Sequence, residues 1–364
     1  MTASRQQIIG QAAGIWLASR VALLVATYFA QLLPRSTGIP IQGRFVINNE
    51  PIQWETLFTW WPRFANIWHL WHSPANFPVP ALLGRIALLL TGHSHTLIAD
   101  VLMSNVVLLG GCVLLALLAE HELGSADSLR GVIVLVTWPL AILLATSVPS
   151  AVMLTTVTGA MLALRTAHWK TAAAFMLLAA GTGVTALVLI VPALTTFGSA
   201  LSHREPGQHA RIVDGLLLLA AVPAGWLLDV KLGRLFGAPN PGMLLTDFRA
   251  VTSAPGGSVN QLLALLPLVL IGCAAVVLVL LIREHVPGAY VQLLAGALVL
   301  AVLAPIGTVD GGWYDARSLL LALPAFIWLG RWGRSRPWLD MLVMGGGVVI
   351  QAALVMVLTG VQSR

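Results

Sequence analysis

Charge is what this sequence has least of. Only 9% of its 364 residues are Asp, Glu, Lys or Arg, while 58% are hydrophobic and the mean hydropathy is +0.87. An ordinary soluble domain carries roughly 25% charged residues, so this chain has too few to clothe a water-facing surface. Cysteine is nearly missing. Cys112 and Cys273 both lie inside apolar runs, which excludes a disulfide framework and leaves the redox compartment open. A basic stripe is also lacking. The net charge of +6 comes from Lys and Arg scattered at the ends of apolar runs, so nucleic acid is not an expected partner. The glycine runs Gly110-Gly111 and Gly345-Gly346-Gly347 have no phosphate-loop lysine or following hydroxyl residue, and close helix packing is their expected role. His69, His72, His93 and His95 have no tight cluster of Asp or Glu beside them, so no metal is expected.

What the chain does have is long apolar runs. They fall near 8–33, 96–119, 131–147, 149–165, 172–197, 213–230, 261–282, 288–305, 317–330 and 338–359. A helix crossing a bilayer core of about 30 Å needs about 20 apolar residues, and most of these runs approach that length. The expected fold is therefore an all-α polytopic integral membrane protein with a single domain over 1–364. Residues 34–95 form its outer loop with an interfacial helix pair, and 96–360 supply the remaining membrane helices. The first run is too long for a signal-peptide core and lacks a small-residue cleavage site, so it is read as a retained helix. The stretch Phe77–Thr91 is short and carries Arg85, which suits a half-embedded or interfacial helix.

Charge gives the orientation. Arg5, Arg165, Lys170 and the cluster Arg331, Arg334, Arg336 belong in the cytoplasm under the positive-inside rule, which places the N-terminus there too. Parity then requires 172–197 to cross twice as a broken pair, or to dip and return, with Gly181-Thr182-Gly183 as the break. A single crossing would put Arg331–Arg336 outside. Three segments face outward in this scheme: 34–76, 229–260 and 305–317.

The first outward segment holds Trp54, Trp60, Trp61, Trp68 and Trp71, with Arg63, His69 and His72 among them. Tryptophan favours the headgroup level, so a helix lying in the outer interface is expected there. Glu50 and Glu55 are its only carboxylates, either solvated or available as a base. Asp310, Asp315 and Arg317 form either a turn with a local ion pair or a place for a phosphate to dock. Arg20 lies in the middle of the first run, where a charge is costly and is normally paired or turned to a cavity.

Several of these pieces come in a familiar order. Phe77-Pro78, Leu82-Leu83, Arg85 and Leu90-Thr91-Gly92 are followed by Ser104-Asn105 and Glu122-Leu123-Gly124. Trp138-Pro139, Phe236-Gly237 and Arg317…Leu323-Pro324 come later, and Arg20 precedes them all. This series resembles the GT-C superfamily of membrane glycosyltransferases, and within it the bacterial relatives of the PIG-V mannosyltransferases. The resemblance implies a multi-pass protein of the bacterial plasma membrane that takes a polyprenyl-phosphate sugar at the outer face. It would pass mannose, or a similar hexose, to a lipid or protein acceptor. No other cofactor is implied, membrane lipid and the lipid-linked donor are the implied partners, and the oligomeric state is left open.

The chemistry-bearing part of the pattern departs from that family. Trp61-Pro62-Arg63-Phe64-Ala65 aligns with its W-x-R-W-D, so Ala65 stands where the family has its catalytic Asp. Its Y-S-E turn corresponds to Val148-Pro149-Ser150, and its T-R-x-x-G to Thr182–Ala186. A hydroxyl acceptor needs a base and the leaving phosphate needs a cation. Glu55, Asp310 and Asp315 are the candidate bases. Arg63, Arg317 and Arg20 are the candidate phosphate contacts, and Trp54, Trp61 and Trp68 would seat the isoprenoid tail and sugar. Two other classes remain open: a catalytically inactive scaffold, carrier binder or complex subunit, and a small transporter or flippase.

Overall fold

The computed structural model describes residues 3–32, 46–47, 50–51, 79, 83, 86, 96–138, 141, 144, 148–182, 184–202, 208–235, 258–303 and 326–352. The fold is helical apart from one short antiparallel pairing, β1 (Val46–Ile47) with β2 (Glu50–Pro51), inside the first long loop. The interfacial helix pair expected in that loop falls largely outside the described residues.

The principal helices are α1 (Ala3–Leu32), α2 (Thr96–Leu123), α3 (Arg130–Thr137), α4 (Val148–Arg165) and α5 (Trp169–Ala180). They continue as α6 (Ile190–Ser202), α7 (Gln208–Leu235), α8 (Ser258–Arg283), α9 (Gly288–Leu303), α10 (Ile327–Ser335) and α11 (Pro337–Asp340). Two are long and apolar enough to cross a membrane, over Arg5–Ala26 and Leu102–Leu123; shorter apolar helices make up most of the rest. Large apolar side chains stand exposed around the bundle, among them Leu24, Leu102, Leu194, Leu216, Val276 and Val299. Its core is filled by Leu, Ala, Val and Met from α2 to α9, with Phe326 and Trp328 from α10.

Ion pairs between helices fix the direction of each one. Arg5 at the start of α1 meets Glu120 at the end of α2, 3.5 Å away. Glu122, two residues further, receives Arg165 from the end of α4 at 2.5 and 3.2 Å. Arg130 at the start of α3 pairs with Asp340 of α11. Lys170 in α5 lies 3.7 Å from Asp214 in α7, and Arg334 and Arg336 of α10 reach Asp127 and Glu284. All these helix ends therefore share one face, and the described connections across it are tight. Gly124, Ala167 and His285 turn with φ of 86°, 57° and 54°. At the second of these turns His168 N–H returns to Ala163 O, a closure that satisfies the last carbonyls of α4.

Helices packed in an apolar bundle approach closely where side chains are small. A Cβ on Gly111 would come within 2.8 Å of Thr155 Oγ1, and that hydroxyl donates across the interface to Val107 O at 2.9 Å. Gly110-Gly111 thus packs as its sequence suggested. Gly346 does not: no described neighbour lies within 4 Å of it, and the chain from Met341 to Gly345 is instead a wide π turn.

The run 131–147 is not one helix. α3 stops at Trp138, which is extended at φ −59° and ψ 138°, as the following Pro139 demands. Gln351 from the last helix satisfies the exposed carbonyls by donating to Val136 O at 3.0 Å and to Trp138 O. Of the run 317–330 only the part from Phe326 lies among the described residues; there α10 continues past the run to Ser335 and carries Arg331 and Arg334.

The run 172–197 is broken as its sequence suggested. α5 ends at Ala180, Gly181 and Thr182 turn, and a 3-10 stretch over Val184–Leu189 leads into α6. Trp169 at the start of α5 stacks edge-on against Phe197 near the end of α6, with centroids 6.3 Å apart. The chain therefore leaves the charged face, turns, and comes back to it. α5 holds 12 residues, about 18 Å of helix, so the turn sits inside the bundle rather than at its far side. Val79 N–H donates to Gly181 O at 3.2 Å, so Val79 touches this turn directly.

Candidate functional site

Among the sequence-derived site residues, Arg20 is the one whose side chain is described. It lies 15 positions beyond Arg5 on α1, which at about 1.5 Å per residue is roughly 22 Å from the charged face. The Arg5–Glu120 pair makes α1 and α2 antiparallel, so this level of α1 runs beside the first half of α2.

Arg20 is turned toward α2 rather than away from the bundle. Its charge lies close enough to the fully buried Cys112 for the two to interact electrostatically. A helical side chain leans toward its own N-terminus, which accounts for the reach from Arg20 toward Cys112. The Nε–H donates to Ser19 Oγ at 3.1 Å, and the Ser19 hydroxyl donates in turn to Trp16 O at 2.6 Å. Both terminal nitrogens, Nη1 and Nη2, are buried and meet no acceptor among the described residues.

Two more buried donors lie on α1 and α2. Trp16 precedes Arg20 by four residues, hence on the same face of α1, and its buried indole N–H has no acceptor among the described residues. Ser104, fully buried on α2, also has an unpartnered hydroxyl. Sequence reasoning missed both. For Trp16 the signal was available in its i, i+4 spacing to Arg20; for Ser104 nothing short of the helix register would have served. An unpaired charge in the middle of a bilayer costs about 2.5–3.5 kcal/mol on insertion scales. A buried guanidinium whose terminal nitrogens meet no acceptor among the described residues is chemically suited to an anion that carries several oxygens.

Glu55, Asp310 and Asp315, with Arg63, Arg317, Trp54, Trp61 and Trp68, lie outside the described residues. What the fold does fix is the helix ends from which their segments depart. α1 and α9 start at the charged face and α2 finishes there, so Leu32, Thr96 and Leu303 lie toward the opposite face, while the short α10 leaves Phe326 against Trp138 just past the end of α3. α7 and α8 flank the third long segment in the same way, with Asp214 and Glu284 at the charged face. Arg20 is nearer to that opposite face than to the charged one. Among the described residues no three His, Cys, Asp or Glu side chains gather in a way that could hold a metal ion.

No family model matches the chain, and neither the curated proteins nor the solved structures contain a match to it.

Proposed function

We propose that this chain is a multi-pass membrane protein that binds a polyprenyl-phosphate sugar from the face opposite its ion pairs and transfers the hexose to a hydroxyl acceptor. The carrying observation is Arg20, a buried guanidinium whose terminal nitrogens have no acceptor among the described residues. A phosphate monoanion or diester supplies paired oxygens to such a fork and cancels its charge. The ordered resemblance to PIG-V-like glycosyltransferases gives the donor its chemical class. The exposed apolar side chains around the bundle support lipid contact.

In the reaction, the acceptor oxygen bonds to the anomeric carbon while the bond from that carbon to the carrier phosphate breaks. The acceptor proton passes to a carboxylate, for which Glu55 is the first choice and Asp310 or Asp315 the alternatives. Arg20, together with Arg63 or Arg317, neutralises the departing polyprenyl phosphate. Trp54, Trp61 and Trp68 offer aromatic faces to tail and sugar.

The test is transfer from radiolabelled polyprenyl-phosphate mannose by the purified full-length protein, wild type against Glu55→Gln and Asp310→Asn. Loss of transfer in either variant with donor binding retained supports a carboxylate base; full transfer in both removes this assignment. A second reading is favoured by Ala65, which occupies the family's catalytic position and has no titratable group. In that reading the protein holds the carrier without turning it over. Donor binding that depends on Arg20, with no turnover under any condition, is the result that selects it.

Orientation follows from the charged face, which gathers Arg5, Arg165, Lys170, Arg334 and Arg336 and is assigned to the cytoplasm of the plasma membrane. An impermeant thiol reagent applied from outside is expected to label Thr37→Cys and not Ser335→Cys. Labelling of both from outside contradicts the assignment.

A further inference from the structure

The charged face contains a cleft of about 580 Å³ between the end of α10, the turn before α3 and the end of α8. Three arginines line it, Arg331, Arg334 and Arg336, against two carboxylates, Asp127 and Glu284. Three positive charges less two negative leave one positive charge over. The pairing shows where it resides. Arg334 holds Asp127 at 3.1 Å, and Arg336 reaches Glu284 only loosely at 3.9 Å. Arg331 meets no carboxylate among the described residues and lies over the Trp328 ring, 5.5 Å from its centroid.

Trp328 supplies a second and independent sign. It lines the same cleft with only 7% of its surface exposed, and its buried indole N–H has no acceptor among the described residues. A buried donor without a partner costs free energy unless a ligand or water supplies one. An unpaired guanidinium and an unpaired indole N–H on one wall call for a small oxyanion carrying a single charge.

What lies beyond the rim identifies the source of that anion. One turn after Arg336 the chain exposes Trp338 (65%), Met341 (78%) and Leu342 (63%). On α8, just before Glu284, Val279 and Ile282 are exposed as well. A polar, cationic cleft bordered by outward apolar helix surface has the two-part character of a phospholipid, with headgroup in the cleft and acyl chains along the helices. A soluble phosphate would have no use for the apolar border.

We propose that this cleft binds the phosphodiester headgroup of an anionic membrane lipid in the leaflet at the charged face, held by Arg331 and Trp328. The site is separate from Arg20 and lies at the other end of the bundle, and it rests on the reading that the chain is embedded in a membrane. Its occupant is a resident lipid that is not consumed. It ties the ends of α8 and α10 to the turn before α3, where Arg334 and Arg336 already join them.

The test uses the full-length protein, beginning with how it is extracted. It is then passed through detergent containing phosphatidylglycerol or phosphatidylcholine, and retained lipid is counted by native mass spectrometry. Wild type is expected to keep one phosphatidylglycerol and to lose phosphatidylcholine. Arg331→Gln is expected to lower phosphatidylglycerol occupancy roughly fivefold, while Arg331→Lys keeps most of it. Trp328→Phe retains the ring but removes the donor, and is expected to lower occupancy roughly two- to tenfold. Folding of each variant is checked by its thermal transition, and Arg331→Lys remains decisive if the others unfold. Equal retention of both lipids, or indifference to Arg331 and Trp328 in a protein that needs detergent for extraction, overturns the headgroup site alone. Displacement of the lipid by millimolar inorganic phosphate overturns the lipid assignment in favour of a free-phosphate site. Extraction without detergent removes the membrane reading and this proposal together.

Discussion

At the charged face, Arg5, Arg130, Arg165, Lys170, Arg334 and Arg336 each meet a carboxylate from a different helix or turn. Roughly 22 Å away along α1, by helix rise, Arg20 meets only the hydroxyl of its own neighbour among the described residues. The first group sits where partners are plentiful, so each charge is satisfied. The second sits where partners are scarce, and the fold has left it bare. Pairing at the face is what helices need in order to pack in a fixed direction. The lack of pairing inside is a cost with no structural return, and such a cost persists where a ligand or substrate uses it.

That contrast predicts opposite signs for stability and function at Arg20. Arg20→Leu removes an uncompensated buried charge, so the thermal transition in detergent is expected to rise, by the equivalent of about 1–3 kcal/mol. Binding of the polyprenyl-phosphate donor is expected to fall about a hundredfold or more, because two charge-assisted contacts are lost at once. Arg20→Leu that destabilises the protein would show that the guanidinium has a structural partner after all. The contrast between the two regions would then dissolve.

Much of this arrangement was legible in the sequence because charge is expensive in lipid. The basic residues at the ends of apolar runs were assigned to one side, and the fold brings Arg5, Arg165, Lys170, Arg334 and Arg336 to one face. The break at Gly181 was legible too, since Gly181-Thr182-Gly183 interrupts an otherwise continuous run. The acidic partners were not. Glu120, Glu122, Asp127, Asp214, Glu284 and Asp340 become partners only through antiparallel register, which no local pattern encodes. Gln351 was hidden for the same reason: its targets, Val136 O and Trp138 O, lie more than two hundred residues away. The extent of α10 was misjudged because its arginines ended the apolar run while its backbone continued as helix. Of the outer-face residues that gave the site its chemistry, none lies among those described, and for them the sequence argument stands alone.

Within the charged face the pairs are not equivalent, and Glu122 marks the strong end. Its side chain is only 6% exposed and receives Arg165 through two nitrogens, with the fully buried Tyr290 beside the pair. Glu122→Ala leaves Arg165 half-buried without its acceptor, and is expected to cost about 2 kcal/mol or somewhat more. Arg165→Met combined with Glu122→Leu is expected to recover most of that loss, since the pair is then replaced rather than broken. The readout is the thermal transition of the three proteins in one detergent. A double variant no better than the single one would mean that Glu122 serves Tyr290 more than Arg165.

Lys170 marks the weak end. It lies 3.7 Å from Asp214, and its side chain is 77% exposed. Water screens such a pair, holding the long lysine chain in one geometry costs side-chain entropy, and exposed pairs contribute about 0–1 kcal/mol. Lys170→Ala is therefore expected to shift the thermal transition barely, and what shift there is should vanish in about 1 M salt, where screening acts within about 3 Å. The same substitution bears on orientation more than on stability. The positive-inside rule counts Lys and Arg near the membrane regardless of whether they are paired. Removing Lys170 deletes one of the charges that keep the α4–α5 turn at the charged face, yet the remaining arginines are expected to hold the topology unchanged. A loss of more than about 1 kcal/mol at low salt would mean that this pair anchors the returning helix pair of α5 and α6 against α7. The charged face would then hold a graded set of anchors whose strength is not set by exposure.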